Sequence, residues 1–334
     1  MTSAKKILFR ADAKPEIGIG DLMSLIQLSK YFEEDGWQAF FMIRAYEAGI
    51  RLIEKYEIKQ VRIIESNITI PEEVNEINTY ILTKSIDVVF FEITENKISD
   101  YLGLLSDVSK ACVSFDGKIL PDMKLVVDWD VAAHDYFSPD KYPETKFLLG
   151  PEYVILPYNF DLKRVAARRI HHPPKRMLIA MGGADEFDFT SQVIQELVNQ
   201  KIQIAVTVVI GSGYKYRADL DAQLEESKLR YELKENISNM FEEYMRCDLA
   251  IGAGGLTASE LVATGTPAYL IAIYEHQEAR CKYFDENGWA TYLGDFKTWK
   301  TNLPIRFDGI VKRIPVNFFK YRSIINICNE FTTK

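Results

Sequence analysis

The chain has 334 residues, of which 47% are hydrophobic and 26% are charged, a composition typical of a soluble globular protein with two domains. Its formal net charge of -8 argues against a nucleic-acid partner, because binding to phosphates requires clustered lysine and arginine. No apolar run approaches the roughly 20 residues that span a bilayer, and Arg10 and Asp12 interrupt any apolar core of a signal peptide. We therefore expect a cytoplasmic protein with no integral membrane segment.

Metal and polyanion sites are also disfavoured. The cysteines at positions 112, 247, 281 and 328 form no CxxC pair, which favours reduced thiols over a zinc site or a disulfide framework. A basic stretch from Lys163 to His172 is followed by Pro173 and Pro174, and we interpret it as the exposed end of a linker helix. The sequence predicts no metal and no cofactor.

Strand-like apolar runs alternate with amphipathic segments through the first half of the chain. Between the first two runs lies the segment Leu22 to Glu34, whose apolar residues recur with the period of a helix. Strands that alternate with such helices indicate βαβ units and a parallel, doubly wound sheet. The strand-like runs are Ile7 to Phe9, Ala39 to Ile43, Val61 to Ile64, Val88 to Ile93, Ala111 to Ser114 and Leu125 to Val127.

A second series of the same kind follows a proline-containing segment. Pro173 and Pro174 cannot continue a helix, so residues 159–175 are predicted to link an N-terminal domain, 1–158, to a C-terminal domain, 176–304. The second series predicts another Rossmann-like domain. Its strand-like runs are Arg176 to Met181, Ala205 to Ile210, Leu249 to Ile251 and Ala268 to Ile273, and its helical segments include Thr190 to Asn199 and Thr257 to Thr264.

Glycine-rich turns stand where these strands end, which is where doubly wound sheets bind ligands. The first contains Gly18 and Gly20, with Asp21 at the start of the next helix, where the acid either caps the helix or contacts a ligand. The second turn contains Gly182, Gly183 and Asp185. Close approach of a ligand to the backbone and a simple tight turn explain the second one equally well.

The third turn, in "CDLAIGAGGLTASE", is the most informative. Gly254 and Gly255 connect the strand Leu249 to Ile251 with a helix that opens at about Thr257. Unpaired N–H groups and the positive end of the helix dipole meet there and suit a diphosphate. Glu260, one turn inside the helix, is placed either to accept hydrogen bonds from a ribose diol or, as a first-turn acid, to complement the dipole.

A longer stretch around the third turn resembles a known group of enzymes. "GAGGLTASELVATGTPAYLI" followed by "YEHQEARCKYFDENG" resembles the nucleotide-binding half of GT-B glycosyltransferases that make lipid II from UDP-N-acetylglucosamine. Adding "RADAKPEIGIGD", "GPEYVILPYNF" and "MGGAD", the chain is similar to hydrolases of pseudaminic acid biosynthesis over about residues 5 to 295. Those hydrolases cleave UDP-2,4-diacetamido-2,4,6-trideoxy-altropyranose into UDP and the free sugar.

This resemblance implies a GT-B fold, in which two Rossmann-like doubly wound domains face a cleft that holds a UDP-sugar. It implies no metal, and it implies that the tail, 305–334, forms a helix that crosses back to the first domain. The residues that it assigns to the sugar-nucleotide are Gly254, Gly255, Leu256, Thr257, Glu260 and Gln277.

The chain departs from the hydrolase pattern at the catalytic histidine and at an asparagine near the reacting sugar. The hydrolases carry "GxGHxxR" where this chain has "GIGDLMS", so that Asp21 replaces a catalytic histidine. They carry "NQ" where this chain has His276 and Gln277. One candidate mechanism has Asp21 as the base and His276 as the group that neutralises the phosphate charge. The other exchanges these two roles. Helix capping by Asp21 and packing or phosphate binding by His276 are the structural alternatives.

Three functions stay open at this point. The main hypothesis is a UDP-sugar hydrolase with altered catalytic residues. The first alternative is a GT-B glycosyltransferase in which Asp21 activates a hydroxyl of a sugar acceptor. The second alternative is a protein that binds a nucleotide sugar without turnover.

Overall fold

The computed structural model describes residues 4–14, 19–93, 98–105, 107–115, 117, 119–302 and 318–332. The chain divides into two compact units. Unit 1 comprises Met1–Tyr158 with Phe319–Lys334, and unit 2 comprises Asn159–Phe318. No helix among the described residues is long and apolar enough to traverse a membrane.

Unit 1 is built on a 7-stranded parallel sheet with the strand order β3-β2-β1-β4-β5-β6-β7. The order reverses between β1 and β4, which makes the carboxyl ends of these two neighbours the switch point of a doubly wound sheet. The strands are β1 (Lys6–Ala11), β2 (Gln38–Arg44), β3 (Val61–Ile64), β4 (Val88–Glu92), β5 (Ser109–Val113), β6 (Leu125–Asp128) and β7 (Lys146–Leu149). The helices are α1 (Gly20–Glu34), α2 (Glu47–Lys55), α3 (Ile70–Lys84), α4 (Ala133–Tyr136) and, from the end of the chain, α11 (Arg322–Phe331).

Unit 2 repeats this architecture with a 6-stranded parallel sheet in the order β10-β9-β8-β11-β12-β13. Its switch point lies between β8 and β11. The strands are β8 (Arg176–Ala180), β9 (Ala205–Ile210), β10 (Arg230–Glu235), β11 (Leu249–Ala253), β12 (Ala268–Ala272) and β13 (Thr291–Asp295). The helices are α5 (Leu162–Ala167), α6 (Phe189–Asn199), α7 (Arg217–Glu226), α8 (Met240–Arg246), α9 (Leu256–Ala263) and α10 (Glu278–Glu286).

The central strands form because their residues are apolar on both faces, as a sheet covered by helices on both sides requires. In unit 1 the Phe9 ring lies 5.7 Å from Phe32 of α1, 5.3 Å from Phe41 of β2 and 6.0 Å from Phe90 of β4, measured between ring centroids. These side chains are buried. The predicted α/β halves and their central strands are confirmed.

Three strands were missing from the sequence prediction. β7, β10 and β13 each form the edge of a sheet. An edge strand has one neighbour only and tolerates polar residues, so its apolar run is short, as in KFLL of β7, or absent. β10, with the sequence RYELKE, is mostly exposed and illustrates the point.

The interpretation of the basic stretch as an exposed helix end is wrong for Arg168. This side chain is buried, and it donates hydrogen bonds to the Thr266 hydroxyl at 2.7 Å and to the Thr264 carbonyl at 3.2 Å. The Asp248 carboxylate accepts a bond of 3.1 Å from the backbone N–H of His171. The segment after α5 is therefore fastened to unit 2 by buried polar contacts, whereas the His171 side chain is exposed.

The last helix, α11, packs on unit 1. The Tyr321 ring stands 4.6 Å from the ring of Tyr31, and the Arg322 guanidinium pairs with Glu34 at 2.7 Å. Of the tail predicted over 305–334, residues 305–317 and 333–334 lie outside the described part of the chain.

Candidate functional site

The glycine turn of unit 2 lies between β11 and α9. Gly255 is the N-cap residue of α9 and provides no side-chain cap, and Leu256 and Thr257 are the first two helical residues. The helix begins one residue earlier than predicted. Because no side chain caps this end, the N–H groups of Leu256 and Thr257 are available to an anion, whereas the Ala258 N–H donates to the Gly255 carbonyl at 3.1 Å.

Packing alone imposes glycine at position 254. A Cβ on Gly254 would lie 2.4 Å from the Cys281 Sγ and 3.0 Å from the Gln277 Cβ, both closer than van der Waals contact allows. At Gly255 the nearest atom to an added Cβ is the Gln277 Nε2 at 3.5 Å, an ordinary contact. The two glycines thus differ in their role. Gly254 allows α10 to pack against the turn, and Gly255 leaves space beside the N-terminus of α9.

Gln277 joins the loop after β12 to this turn. Its side chain is buried, and its Oε1 accepts a hydrogen bond of 3.1 Å from the backbone N–H of Ile273. This bond leaves the amide nitrogen on the side of Gly255. The amide is therefore held as a hydrogen-bond donor beside the turn.

Glu260 lies beyond the first turn of α9, which contains no acidic residue, so its interpretation as a first-turn acid is wrong. The Tyr244 hydroxyl of α8 donates a hydrogen bond of 2.5 Å to the Glu260 Oε2. Thr257 hydrogen-bonds to the same phenol. Burial raises the pKa of Glu260 to about 7, although the bond from Tyr244 acts in the opposite direction. Sequence reasoning missed Tyr244, which no local pattern links to Glu260.

In the turn after β8, Gly182 has a φ of +90°, which favours glycine. The Asp185 carboxylate accepts hydrogen bonds of 2.8 Å from the N–H groups of Phe189 and Thr190, so it holds the start of α6. Burial raises the pKa of Asp185. Gly183 stays exposed, with nothing within 4 Å of an added Cβ. The predicted ligand contacts of these residues remain predictions.

A further glycine-containing turn, at residues 211–213 after β9, packs against Gly183, and sequence reasoning missed it. The Gly213 N–H donates a hydrogen bond of 3.0 Å to the Gly183 carbonyl. A Cβ on Gly211 would lie 2.3 Å from that carbonyl oxygen. The "GSG" directly after the strand Ala205 to Ile210 was the available signal.

Aromatic rings stand beside these turns. His276 is exposed, and its ring stacks on Tyr274 with centroids 5.7 Å apart and an interplanar angle of 9°. Phe187, from the loop after β8, meets Tyr274 edge to face at 5.9 Å. We call Phe187, Tyr274 and His276 the aromatic ledge.

In unit 1, the interpretation of Asp21 as a helix cap is wrong. The N-cap residue of α1 is Ile19, and Gly20 and Asp21 are the first two residues of the helix. Asp21 therefore adds negative charge to the first turn, where the helix dipole favours it. Gly18 lies outside the described residues.

Glu92, the last residue of β4, is a buried carboxyl group that sequence reasoning missed. The Ser24 hydroxyl of α1 donates a hydrogen bond to its Oε2. Burial, and after it the negative charge of Asp21, raises the pKa of Glu92 well above its usual range. The Glu92 and Asp21 carboxyl groups therefore lie close enough that the negative charge of Asp21 opposes ionisation of Glu92. The signal was a single acid that ends an apolar run.

Buried ion pairs hold the adjoining end of β1. Arg10 pairs with Asp12 at 2.7 Å and with Glu73 at 2.6 Å, and Arg44 pairs with Glu73 at 2.7 Å. The two cations and two carboxylates compensate each other within the network. We interpret this network as support for the β1–α1 connection. The described residues contain no group of three or more His, Cys, Asp or Glu side chains placed to share a metal ion.

Comparison with known proteins finds a family model that matches much of unit 2. Residues 177–308 match the family model of the glycosyltransferase family 28 C-terminal domain. This match includes the turns after β8 and β11, Tyr244, Glu260 and the ledge residues Tyr274 and His276.

Three relatives have related sequences. An uncharacterized protein of Methanocaldococcus jannaschii is 25% identical over 84% of this chain and 58% of its own length. The UDP-N-acetylglucosamine--N-acetylmuramyl-(pentapeptide) pyrophosphoryl-undecaprenol N-acetylglucosamine transferase of Salinibacter ruber is 31% identical over 46% of this chain and 45% of its own. The chain thus spans about half the length of these two relatives. The spore coat polysaccharide biosynthesis protein SpsG of Bacillus subtilis is 23% identical over 85% of this chain and 82% of its own.

Solved structures share the fold. MurG of Acinetobacter baumannii has a TM-score of 0.61 and 13% identity, covering 98% of this chain and 93% of its own. The UDP-GlcNAc 2-epimerase of Methanocaldococcus jannaschii has a TM-score of 0.63 and 13% identity, and the match covers 97% of this chain and 99% of the epimerase chain. The predicted GT-B fold with two Rossmann-like domains is confirmed.

Proposed function

We propose that this protein binds a UDP-sugar through unit 2 and transfers the sugar to a hydroxyl acceptor. The observation that carries the proposal is the Gly254-Gly255 turn, which leaves the start of α9 without a side-chain cap, together with Glu260 further along the same helix. Both lie inside the segment matched to the glycosyltransferase family 28 C-terminal domain. The Salinibacter ruber relative is named as an N-acetylglucosamine transferase, which makes UDP-N-acetylglucosamine the first donor to test.

In this proposal the α9 terminus binds the diphosphate. The N–H groups of Leu256 and Thr257 donate to phosphate oxygens, and the helix dipole adds attraction for the negative charge. The Glu260 carboxylate accepts hydrogen bonds from the ribose hydroxyls, and the Gln277 amide donates to the sugar-nucleotide. Glycine at 255 keeps the approach open.

The proposed reaction exchanges one bond at the anomeric carbon. Its bond to the phosphate oxygen breaks, the acceptor oxygen bonds to the same carbon, and the acceptor proton passes to the Asp21 carboxylate. UDP leaves with its charge stabilised by the amide donors and, in our proposal, by His276. We assign the role of base to Asp21 and not to Glu92, because burial and the charge of Asp21 raise the pKa of Glu92.

Hydrolysis is the second candidate, with water in place of the acceptor. The order of the "GIGD", "MGGAD" and "GAGGLTASE" motifs, which resembles the hydrolases, favours it. We place it second because the matched family model describes glycosyltransferases.

Release of UDP from UDP-N-acetylglucosamine, with and without a panel of hydroxyl acceptors, tests the proposal. Release that requires an acceptor supports transfer, and release in buffer alone supports hydrolysis. Thermal stabilisation by UDP without any release supports a binding protein. A chain that neither binds UDP nor releases it contradicts the proposal.

The protonation of Glu260 gives a further test, since only the carboxylate can accept both ribose hydroxyls. Its pKa of about 7 predicts that UDP affinity rises as the pH increases from about 6 to 8. Tyr244→Phe removes a hydrogen bond that favours the carboxylate, so the midpoint should move to higher pH. At pH 7 we expect affinity to fall about three- to tenfold, because a smaller fraction of Glu260 is then ionised.

Calorimetric titration between pH 5.5 and 8.5 measures this shift. Glu260→Gln, which cannot titrate, serves as the matched control for protonation of UDP itself. A Tyr244→Phe profile that overlays the unmodified protein contradicts the role given to the phenol.

A further inference from the structure

The aromatic ledge of unit 2 exposes an apolar surface that the fold does not require. Phe187 is 55% exposed although it is a large apolar side chain. Its ring meets Tyr274 edge to face, and Tyr274 is stacked on the exposed His276. Exposed aromatic rings grouped on one surface are typical of ligand binding.

The ledge is held in place by hydrogen bonds around its loop. The Tyr216 hydroxyl donates to the Glu186 carbonyl at 2.8 Å, and the Gln192 amide donates to the Phe187 carbonyl at 2.9 Å. The Tyr274 hydroxyl donates to the Glu186 Oε2 at 3.2 Å. These bonds fix the backbone on both sides of the exposed ring, so that binding there costs little additional ordering.

The ledge continues directly from the glycine turn. His276 precedes Gln277, whose Cβ is the 3.0 Å neighbour of an added Cβ on Gly254. Phe187 follows Gly183 in the loop after β8, at the same carboxyl edge of the sheet. A group attached to a diphosphate at the α9 terminus therefore has the ledge as its neighbour.

We propose that the ledge is the binding surface for the sugar ring of the donor and that it selects a neutral pyranose. This inference rests on the proposed function. A pyranose presents a C–H face that packs on aromatic rings and a rim of hydroxyls that bond to polar edges. The ledge offers both, since the Tyr274 hydroxyl and the Glu186 carboxylate lie at its edge. The carboxylate repels a sugar that carries its own negative charge.

Titration of Phe187→Leu with UDP and with UDP-N-acetylglucosamine tests the ring contact. We expect the affinity for UDP to stay within about twofold and the affinity for UDP-N-acetylglucosamine to fall about three- to tenfold, the range of an aromatic contact. Phe187→Tyr, which keeps the ring, should retain both affinities. Tyr231→Ala, which removes an exposed aromatic ring from β10, is the matched control and should change neither.

The outcomes separate this inference from the proposed function. Equal losses for both ligands in Phe187→Leu assign the ring to the nucleoside and overturn the inference, as does no loss for either. An unmodified protein that binds neither ligand overturns the proposed function and the inference together. Binding of both by the unmodified protein with a selective loss in Phe187→Leu supports the inference.

Selection of a neutral sugar is tested by UDP-glucose and UDP-glucuronic acid, which differ only at C6. We expect the acid to bind more weakly, and we expect Glu186→Gln to reduce that difference. Equal or tighter binding of UDP-glucuronic acid by the unmodified protein overturns the proposed selectivity.

Discussion

Asp21→Asn is expected to lower the turnover of a UDP-sugar by roughly 100- to 10,000-fold, the usual contribution of a general base. The amide keeps the size of the side chain but cannot accept the proton of the acceptor. UDP affinity should stay within about twofold, because the diphosphate is assigned to unit 2. Rates of UDP release under saturating donor, with calorimetric UDP affinities alongside, measure both quantities.

A matched control separates catalysis from helix stabilisation. Asp21 contributes to the first turn of α1, where one acid is worth about 0.3–1 kcal/mol. Glu47 is the first-turn acid of α2 and is exposed. Glu47→Gln therefore removes a first-turn charge from a helix outside the proposed site, and it should leave turnover unchanged. Full turnover in Asp21→Asn would return that residue to a structural role in its helix.

Glu260→Ala is expected to weaken UDP binding by about 10- to 100-fold, since each hydrogen bond to a charged group contributes about 1.5–3 kcal/mol. The loss should be largest above pH 7, where Glu260 is ionised in the free protein. Calorimetry at pH 8 is the appropriate measurement. The variant should fold, because replacing a carboxyl group that burial has made costly to ionise removes an unfavourable charge.

A ligand lacking one hydroxyl sharpens this test. Deoxyuridine diphosphate differs from UDP only at the ribose 2′ position. If Glu260 holds the diol, Glu260→Ala should affect UDP more than deoxyuridine diphosphate, and the difference is the coupling between carboxylate and hydroxyl. Equal losses for the two ligands, or unchanged UDP affinity, refute the assignment.

The fold could be predicted from the sequence where the local pattern of apolar residues determines the structure. Buried parallel strands read as continuous apolar runs, so the centres of both sheets were found from the sequence. β10 was missed because its polar residues suit an edge that faces solvent. Arg168 was misinterpreted for a related reason: a basic run usually indicates exposure, and only tertiary contacts with Thr264 and Thr266 bury this member of it.

The candidate site was predictable only in its glycine turns, which are local features. The pairing of Glu92 with Ser24 joins β4 to α1 across 68 positions of the chain. The pairing of Tyr244 with Glu260 joins two helices in the same way. Such contacts depend on which strands are neighbours, and strand order cannot be derived from periodicity. The pKa shifts that follow from these contacts could not be predicted from the sequence either.

Gly254 makes folding and ligand recognition inseparable at one position. Any side chain there collides with Cys281 and Gln277 and must displace the start of α10, which carries the Gln277 amide away from the turn. Loss of activity after a substitution of Gly254 therefore cannot show whether a phosphate binds beside this residue. The adjacent position is different: at Gly255 an added methyl meets only an ordinary contact, so crowding of a bound anion can be examined there while the architecture stays intact.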